Sequence, residues 1–263
     1  TANVVSYPAK VELARGKNDY KLVFTPNADY VPGEYQVMES YEPIEINHTV
    51  TYKTYGSEGE SLWVAPNATG TGSKSNPMSI YEAVKYVQPG QTIVVMEGTY
   101  LLDKTVKVER GIDGTADKKI YMIADPAAAT RPVFDFQKNC AGMILAGDYW
   151  VFRGFDVTRS SNGQKGIQVS GNYNLLDSIN TYYNGNTGIQ ISRYLTTDEF
   201  ADWPAYNTIL NCTSYGNADA GYEGADGFAA KLTCGDGNVF DGCIAHHNAD
   251  DGWDLFAKVQ SGS

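Results

Sequence analysis

An eleven-residue frame with asparagine at both ends occurs three times in the chain and constrains its fold more than any other feature. The copies are Asn174-Leu-Leu-Asp-Ser-Ile-Asn-Thr-Tyr-Tyr-Asn184, Asn207-Thr-Ile-Leu-Asn-Cys-Thr-Ser-Tyr-Gly-Asn217 and Asn238-Val-Phe-Asp-Gly-Cys-Ile-Ala-His-His-Asn248. Ile179, Cys212 and Cys243 share one apolar position, and a degenerate earlier copy from Trp150 to Ser160 places Phe155 there. A glycine and an apolar residue follow each frame: Gly166-Ile167, Gly188-Ile189, Gly227-Phe228 and Gly252-Trp253. The frames begin at 150, 174, 207 and 238, so the offsets are 24, 33 and 31 residues, a unit in the twenties lengthened by insertions. Short strands recurring at that period predict a parallel β-helix, each coil burying its apolar face against its neighbours. Leucine-rich repeats would need a leucine lattice, which is missing. The asparagine closing each frame is expected to form a ladder at one corner, its side chain bonding backbone groups that the turn leaves unpaired.

The repeat unit is predicted to start at Leu62 and run through 62–263. Leu62 to Pro66 reads as a strand, and Ser79 to Val87 as the clearest helix. Ser79 is its N-cap, and Glu82 three residues on completes a capping box. Ile80, Ala83, Val84 and Val87 then form one apolar face. A single short helix followed only by strand-length segments suggests a cap over the open end of the solenoid. Upstream, 1–58 alternates with period two: Val11 and Leu13, Tyr20 to Phe24, Tyr35 and Val37, Ile44 and Ile46, then Thr49 to Tyr55. With turns at Pro26-Asn27 and Pro32-Gly33, this predicts about five antiparallel strands, a small β segment read as the end of a β-sandwich. Gly56 to Ser61 reads as a linker. The fold class is therefore all-β.

Charge narrows the function. A net charge of -11 with a pI near 4.7 argues against nucleic acid or an anionic membrane as the main partner, because nothing would neutralise phosphates. No apolar run approaches the roughly 20 residues of a membrane-spanning helix. Thr1 to Val5 shows no leader pattern and reads like the interior of a longer protein. Cys140, Cys212, Cys234 and Cys243 lack metal-ligand spacing and are expected as buried thiols. Two insertions stand out. Ser192 to Tyr206 carries Arg193, Tyr194 and Trp203, and Ala218 to Ala225 carries Tyr222 and Glu223. Aromatics with an arginine on loops of a rigid solenoid suit sugar rings and acidic groups.

The two acidic turns are the candidate site. Ala225-Asp226-Gly227-Phe228 and Asp250-Asp251-Gly252-Trp253-Asp254 are successive copies of one turn. Stacked at the ~4.8 Å spacing of paired strands, they would put Asp226 beside Asp251, with Asp250 and Asp254 close by. Like charges at that range repel unless a cation lies among them. An all-oxygen set of several carboxylates suits calcium better than magnesium. The structural alternative is a solvated acidic surface.

At these residues the chain resembles a known family. Ala225-Asp-Gly-Phe-Ala-Ala-Lys231, Gly237-Asn-Val-Phe, Gly242-Cys-Ile-Ala and Asp250-Asp-Gly-Trp-Asp-Leu-Phe-Ala-Lys258 resemble the core motif of the family 9 polysaccharide lyases, which include pectate and rhamnogalacturonan lyases. The stretch from Trp63-Val-Ala-Pro through Pro89-Gly-Gln-Thr-Ile to Gly98-Thr-Tyr100 is similar to the start of many pectate-lyase-like right-handed β-helices. The resemblance implies a right-handed helix. It also implies calcium-dependent β-elimination on an acidic plant cell-wall polysaccharide, polygalacturonate or rhamnogalacturonan, with the calcium ligands carried over onto Asp226, Asp250, Asp251 and Asp254. It implies a secreted, periplasmic or cell-surface bacterial protein, expected to be a monomer. Arg193, Tyr194, Tyr222 and Lys231 are the candidate substrate contacts. The family's proton-abstracting lysine lies on a coil later than the second acidic turn, so the resemblance places it beyond Ser263. The chain then reads as a C-terminally truncated fragment that binds calcium and turns over poorly; Lys231 and Lys258 are expected to be ion-paired rather than catalytic. A polygalacturonase-type hydrolase and a non-catalytic carbohydrate-binding β-helix with structural calcium are the competing readings.

Overall fold

In the computed structural model the described residues are 11–14, 16–25 and 42–256. The chain divides into two compact units, Thr1–Thr54 and Tyr55–Ser263. In the first, β1 (Gly16–Phe24) and β2 (Ile44–Tyr52) pair antiparallel, Gly16 opposite Tyr52 and Phe24 opposite Ile44. Val11 and Leu13, expected in a strand, lie outside any ladder. The strand expected at Tyr35 and Val37 and the turns at Pro26-Asn27 and Pro32-Gly33 lie outside the described residues.

The second unit is a solenoid of three parallel sheets. The first sheet stacks Leu62–Val64, Thr92–Val95, Ile120–Ala124, Trp150–Arg153, Leu175–Asp177, Thr208–Leu210 and Val239–Asp241. The second stacks Thr99–Leu101, Val133–Asp135, Asp156–Thr158, Asn180–Tyr182, Thr213–Tyr215 and Ile244–His246. The third stacks Val106–Val108, Met143–Leu145, Ile167–Val169, Ile189–Ile191, Phe228–Ala230 and Trp253–Asp254. Thr99 and Tyr100, in the stretch that carries the family resemblance, begin a strand. The strands are short because each supplies one wall of a coil; in the third sheet the outer two residues are buried in pairs such as Val106 and Val108, or Ile167 and Val169, whereas in strands such as Leu175–Asp177 and Asn180–Tyr182 the middle residue is the buried one.

The shared apolar position of the repeat is the inward residue after the first corner. Phe155, Ile179 and Cys212 are fully buried there on successive coils, and Cys243 continues the column. Each follows a residue in the left-handed region: Gly154, Ser178, Asn211 or Gly242. All four cysteines are free, and Cys212 is buried while the other three are partly buried.

Both ends of the frame form ladders, where one was expected. At one corner Asn174 Oδ1 accepts from the Trp150 N–H at 2.8 Å, Asn207 Oδ1 from the Asn174 N–H at 3.0 Å and Asn238 Oδ1 from the Asn207 N–H at 3.1 Å. At the other, Asn184, Asn217 and Asn248 accept from Ser160, Asn184 and Asn217 at 3.1, 3.1 and 3.2 Å. The residues just before these asparagines, among them Tyr173, Tyr206, Tyr183 and His247, are left-handed, a cost of about 1–2 kcal/mol each for a side-chain-bearing residue. The ladder bonds, four of the six buried, offset that cost.

The helix α1 (Ile80–Tyr86) closes the N-terminal end. Ser79 Oγ accepts from the Glu82 N–H at 3.2 Å, and Ile80, Ala83, Val84 and Val87 join the core. The stretch 56–61, read as a linker, is fastened to this unit: Gln91 Nε2 donates to the carbonyls of Tyr55 and Ser57, and Lys118 pairs with Glu58. No described helix is long and apolar enough to cross a membrane.

Candidate functional site

The corner leading into the third sheet carries one residue per coil immediately before the repeating glycine: Lys165, Thr187, Asp226 and Asp251. Backbone bonds hold these residues in a column. Gly166 N–H donates to the Thr187 carbonyl at 3.0 Å, Gly188 N–H to Asp226 at 2.9 Å and Gly227 N–H to Asp251 at 2.9 Å. Gly227 and Gly252 therefore lie on the same wall, as the stacking of the two acidic turns requires. Glycine is needed at 227 by close approach. A Cβ there would lie 2.7 Å from both the Gly252 carbonyl oxygen and Asn248 Nδ2, and 2.8 Å from Ala245 Cβ.

Three of the four predicted carboxylates converge. Oxygens of Asp226, Asp250 and Asp251 lie within 4.8 Å of one another, Asp226 buried and the other two exposed. Asp226 Oδ2 accepts from Thr187 Oγ1 at 2.9 Å and from Lys231 Nζ at 2.6 Å, whereas Oδ1 is buried without a partner among the described residues. A buried carboxylate oxygen left unbonded carries the full desolvation cost. Its fit to a hard cation is good: the donors are all oxygen, the charges are all negative, and one lone acceptor has nothing else to bind.

Asp254 is placed differently. It joins the site through Lys231, whose Nζ lies 2.9 Å from Asp254 Oδ2, while Asp254 Oδ1 accepts from the Phe256 N–H at 2.9 Å. Burial alone would raise the Asp254 carboxyl; the Lys231 and Phe256 hydrogen bonds hold it below the ordinary range. Desolvation, then the charges of Asp226, Asp251 and Asp254, push the Asp250 carboxyl up against the opposing charge of Lys231. The site is thus short of positive charge even with Lys231 in it.

The candidate substrate contacts are scattered. Lys231 is in the acidic group. Tyr222 is 69% exposed on the loop that leads into Asp226, a loop tied down by Asp219, which accepts from the N–H groups of Gly221 and Gly224, and by Asn162, which accepts from Ala220. The Arg193 N–H bonds Thr233, and its guanidinium reaches the Asp198 carbonyl at 3.5 Å. Tyr194 lies away from the carboxylates. Its hydroxyl donates to Glu109 and its ring lies under Lys107 and Arg110, on the coil of Val106–Val108. That is four rungs, roughly 19 Å, from the strand after Asp226. Buried Asp198 draws the insertion that way, accepting both Arg110 nitrogens at 3.0 and 2.7 Å and the N–H groups of Tyr194 and Leu195. Lys258 lies outside the described residues. Thr187 and Lys165 were not picked out from sequence, although their place before the recurring glycine was a readable signal.

The family described as "Pel9A-like, right handed beta helix region" matches residues 62–262, and the chain belongs to it. Pectate lyase L of Thermoclostridium stercorarium is 45% identical over 236 residues, covering 89% of this chain and 19% of that protein. Pectate lyase L of Paenibacillus polymyxa is 39% identical over 213 residues, covering 76% of this chain and 46% of that one. Among solved structures, pectate lyase Pel9A superposes with a TM-score of 0.62 at 34% identity, over 77% of this chain and 51% of that one. The chain spans about half of the length of these relatives or less. The right-handed parallel β-helix expected from the resemblance is the fold observed.

Proposed function

We propose that this Pel9A-like β-helix belongs to a calcium-dependent polysaccharide lyase that cleaves uronate-containing pectic chains by β-elimination. The observation that carries the proposal is the convergence of Asp226, Asp250 and Asp251 around an unpartnered buried oxygen, Asp226 Oδ1. The pectate lyase relatives support the substrate class. Asp226, Asp250 and Asp251 would hold the ion, and Asp254 would act through Lys231 or turn to the ion directly. Calcium bound there would offer its positive charge to the substrate carboxylate and so make the adjacent C5 proton more acidic.

The chain's own residues prepare this site. Thr187 and Lys231 fix Asp226 by its second oxygen, which leaves the first aimed and free. Lys231 is already donating to two carboxylates and serves as a prop, not as the base. Proton abstraction at C5 is assigned to a lysine on a coil after the Asp250–Asp254 turn, and elimination then expels the glycosidic oxygen without water. A secreted or cell-surface setting follows from a polymeric cell-wall substrate.

Calorimetric titration with calcium, followed by an oligogalacturonate, tests the first half of the reading; ultraviolet absorbance of the unsaturated product tests the second. Calcium should bind, and the acidic oligomer should bind only with calcium present. Hydrolysis that survives EDTA and yields saturated ends would overturn the proposal in favour of a glycoside hydrolase.

A further inference from the structure

Lys165 stands in the same column as the acidic site, two rungs before Asp226 and so about 10 Å along the axis. The column is continuous: the Lys165 carbonyl accepts from the Gly142 N–H at 3.2 Å, and Thr187, on the rung between, bonds Asp226 by its side chain. Among the described residues the half-buried Lys165 ammonium meets no hydrogen-bond acceptor and no carboxylate. Seven other cations of the solenoid are paired. Lys107, Arg110, Lys118, Arg131, Arg153, Arg159 and Lys231 each face a carboxylate. Burial, and secondarily the Lys231 charge, lower the Lys165 amine from its ordinary value, so the bare cation is held at a cost.

A half-buried ammonium without a counter-charge, in the column that leads to the acids, is what a site for an anion with oxygen acceptors looks like before the anion arrives. The anion must bring its own charge, because the chain supplies none at that point.

Building on the proposed function, we infer that Lys165 forms a carboxylate subsite that takes a uronate of the polymer other than the one held at the acidic cluster. One subsite would read a carboxylate through a metal and the other through an ammonium. The polymer would then be selected for two free acid groups.

The test compares Lys165→Gln and Lys165→Arg with the unaltered protein by calorimetry, in calcium, against an oligogalacturonate and its fully methyl-esterified form. Loss of one charge-assisted hydrogen bond predicts that Lys165→Gln weakens acid-oligomer binding by about tenfold or more. It should also flatten the salt dependence of binding and leave the ester's affinity unchanged. Lys165→Arg should keep most of the affinity, and calcium binding alone and the melting temperature should be unaffected in both variants. Acid-oligomer affinity that stays within about twofold in Lys165→Gln while Asp251→Asn abolishes it would overturn the subsite and leave the proposed function standing. An unaltered protein that binds acid and ester equally would overturn both. A parallel fall in calcium affinity or stability in Lys165→Gln would make the residue structural and overturn the subsite alone.

Discussion

Replacing Gly227 with alanine would act on fold and site together, and Gly252 supplies its control. A Cβ at 227 would lie 2.7 Å from the Gly252 carbonyl oxygen and from Asn248 Nδ2, and 2.8 Å from Ala245 Cβ. Ordinary contact needs about 3.5 Å or more, so neighbouring rungs must part by several tenths of an ångström. Overpacking of this kind costs about 1–3 kcal/mol, and a unit of this size loses roughly 2–4 °C in melting temperature per kcal/mol. The same movement separates Asp226 from Asp250 and Asp251, whose oxygens now lie within 4.8 Å of one another. At Gly252 a Cβ would meet, among the described residues, only Ala245 Cβ, at 3.5 Å, an ordinary contact. Gly227→Ala is therefore expected to melt lower and to bind calcium more weakly, while Gly252→Ala matches the unaltered protein in both. Differential scanning calorimetry with and without calcium reads both effects. Equal behaviour of the two variants would refute the reasoning, because the argument rests wholly on the difference in rung contact.

Asp226→Asn keeps the shape and removes the buried charge; calcium affinity measured by calorimetry should fall at least about tenfold, given how strongly affinity follows ligand charge. Lys231→Met leaves Asp226 buried without its ion pair and should lower the metal-free stability by about 3–5 kcal/mol in denaturant melts, with added calcium recovering more stability than it does in the unaltered protein. Asp250→Asn should stabilise the metal-free protein at neutral pH and matter less in acid. The folded Asp250 pKa is raised, so its unfavourable contribution is present above that pKa and disappears once pH falls below the unfolded value. Asp254 has the opposite sign: its lowered carboxyl adds stability above the unfolded value that is lost as pH falls through the folded pKa. Chemical melts of Asp250→Asn and Asp254→Asn across the acid range should therefore diverge in opposite directions.

Much of this molecule could be read before any coordinate was known, and the particular residues explain why. The asparagine frames, the inward Ile179, Cys212 and Cys243, and the Ser79 cap are local patterns repeated or closed within a few residues, so spacing alone assigns their place. The pairing of Asp226 with Asp251 followed for the same reason, since Gly227 and Gly252 mark equal positions on adjacent coils. Tyr194 defeated that logic. It lies on an insertion, and the pair of buried Asp198 with Arg110, 88 residues apart in the chain, decides where the insertion goes. The strand expected at Val11 and Leu13 failed because alternation shows which side chains could share a face but not whether a partner strand is there to bond them.

From its amino-acid order alone this protein is a stack of coils with an acidic corner, because a rung that hydrogen-bonds to an identical rung has its register set by the repeat. Only the folded chain decides how the side chains at that corner divide their bonds. Lys231 takes Asp254 and one oxygen of Asp226, Thr187 shares that oxygen, and the other oxygen is left open beside Asp250 and Asp251. These choices depend on directions and distances between residues on different coils, and variable insertions remove any fixed spacing that could announce them.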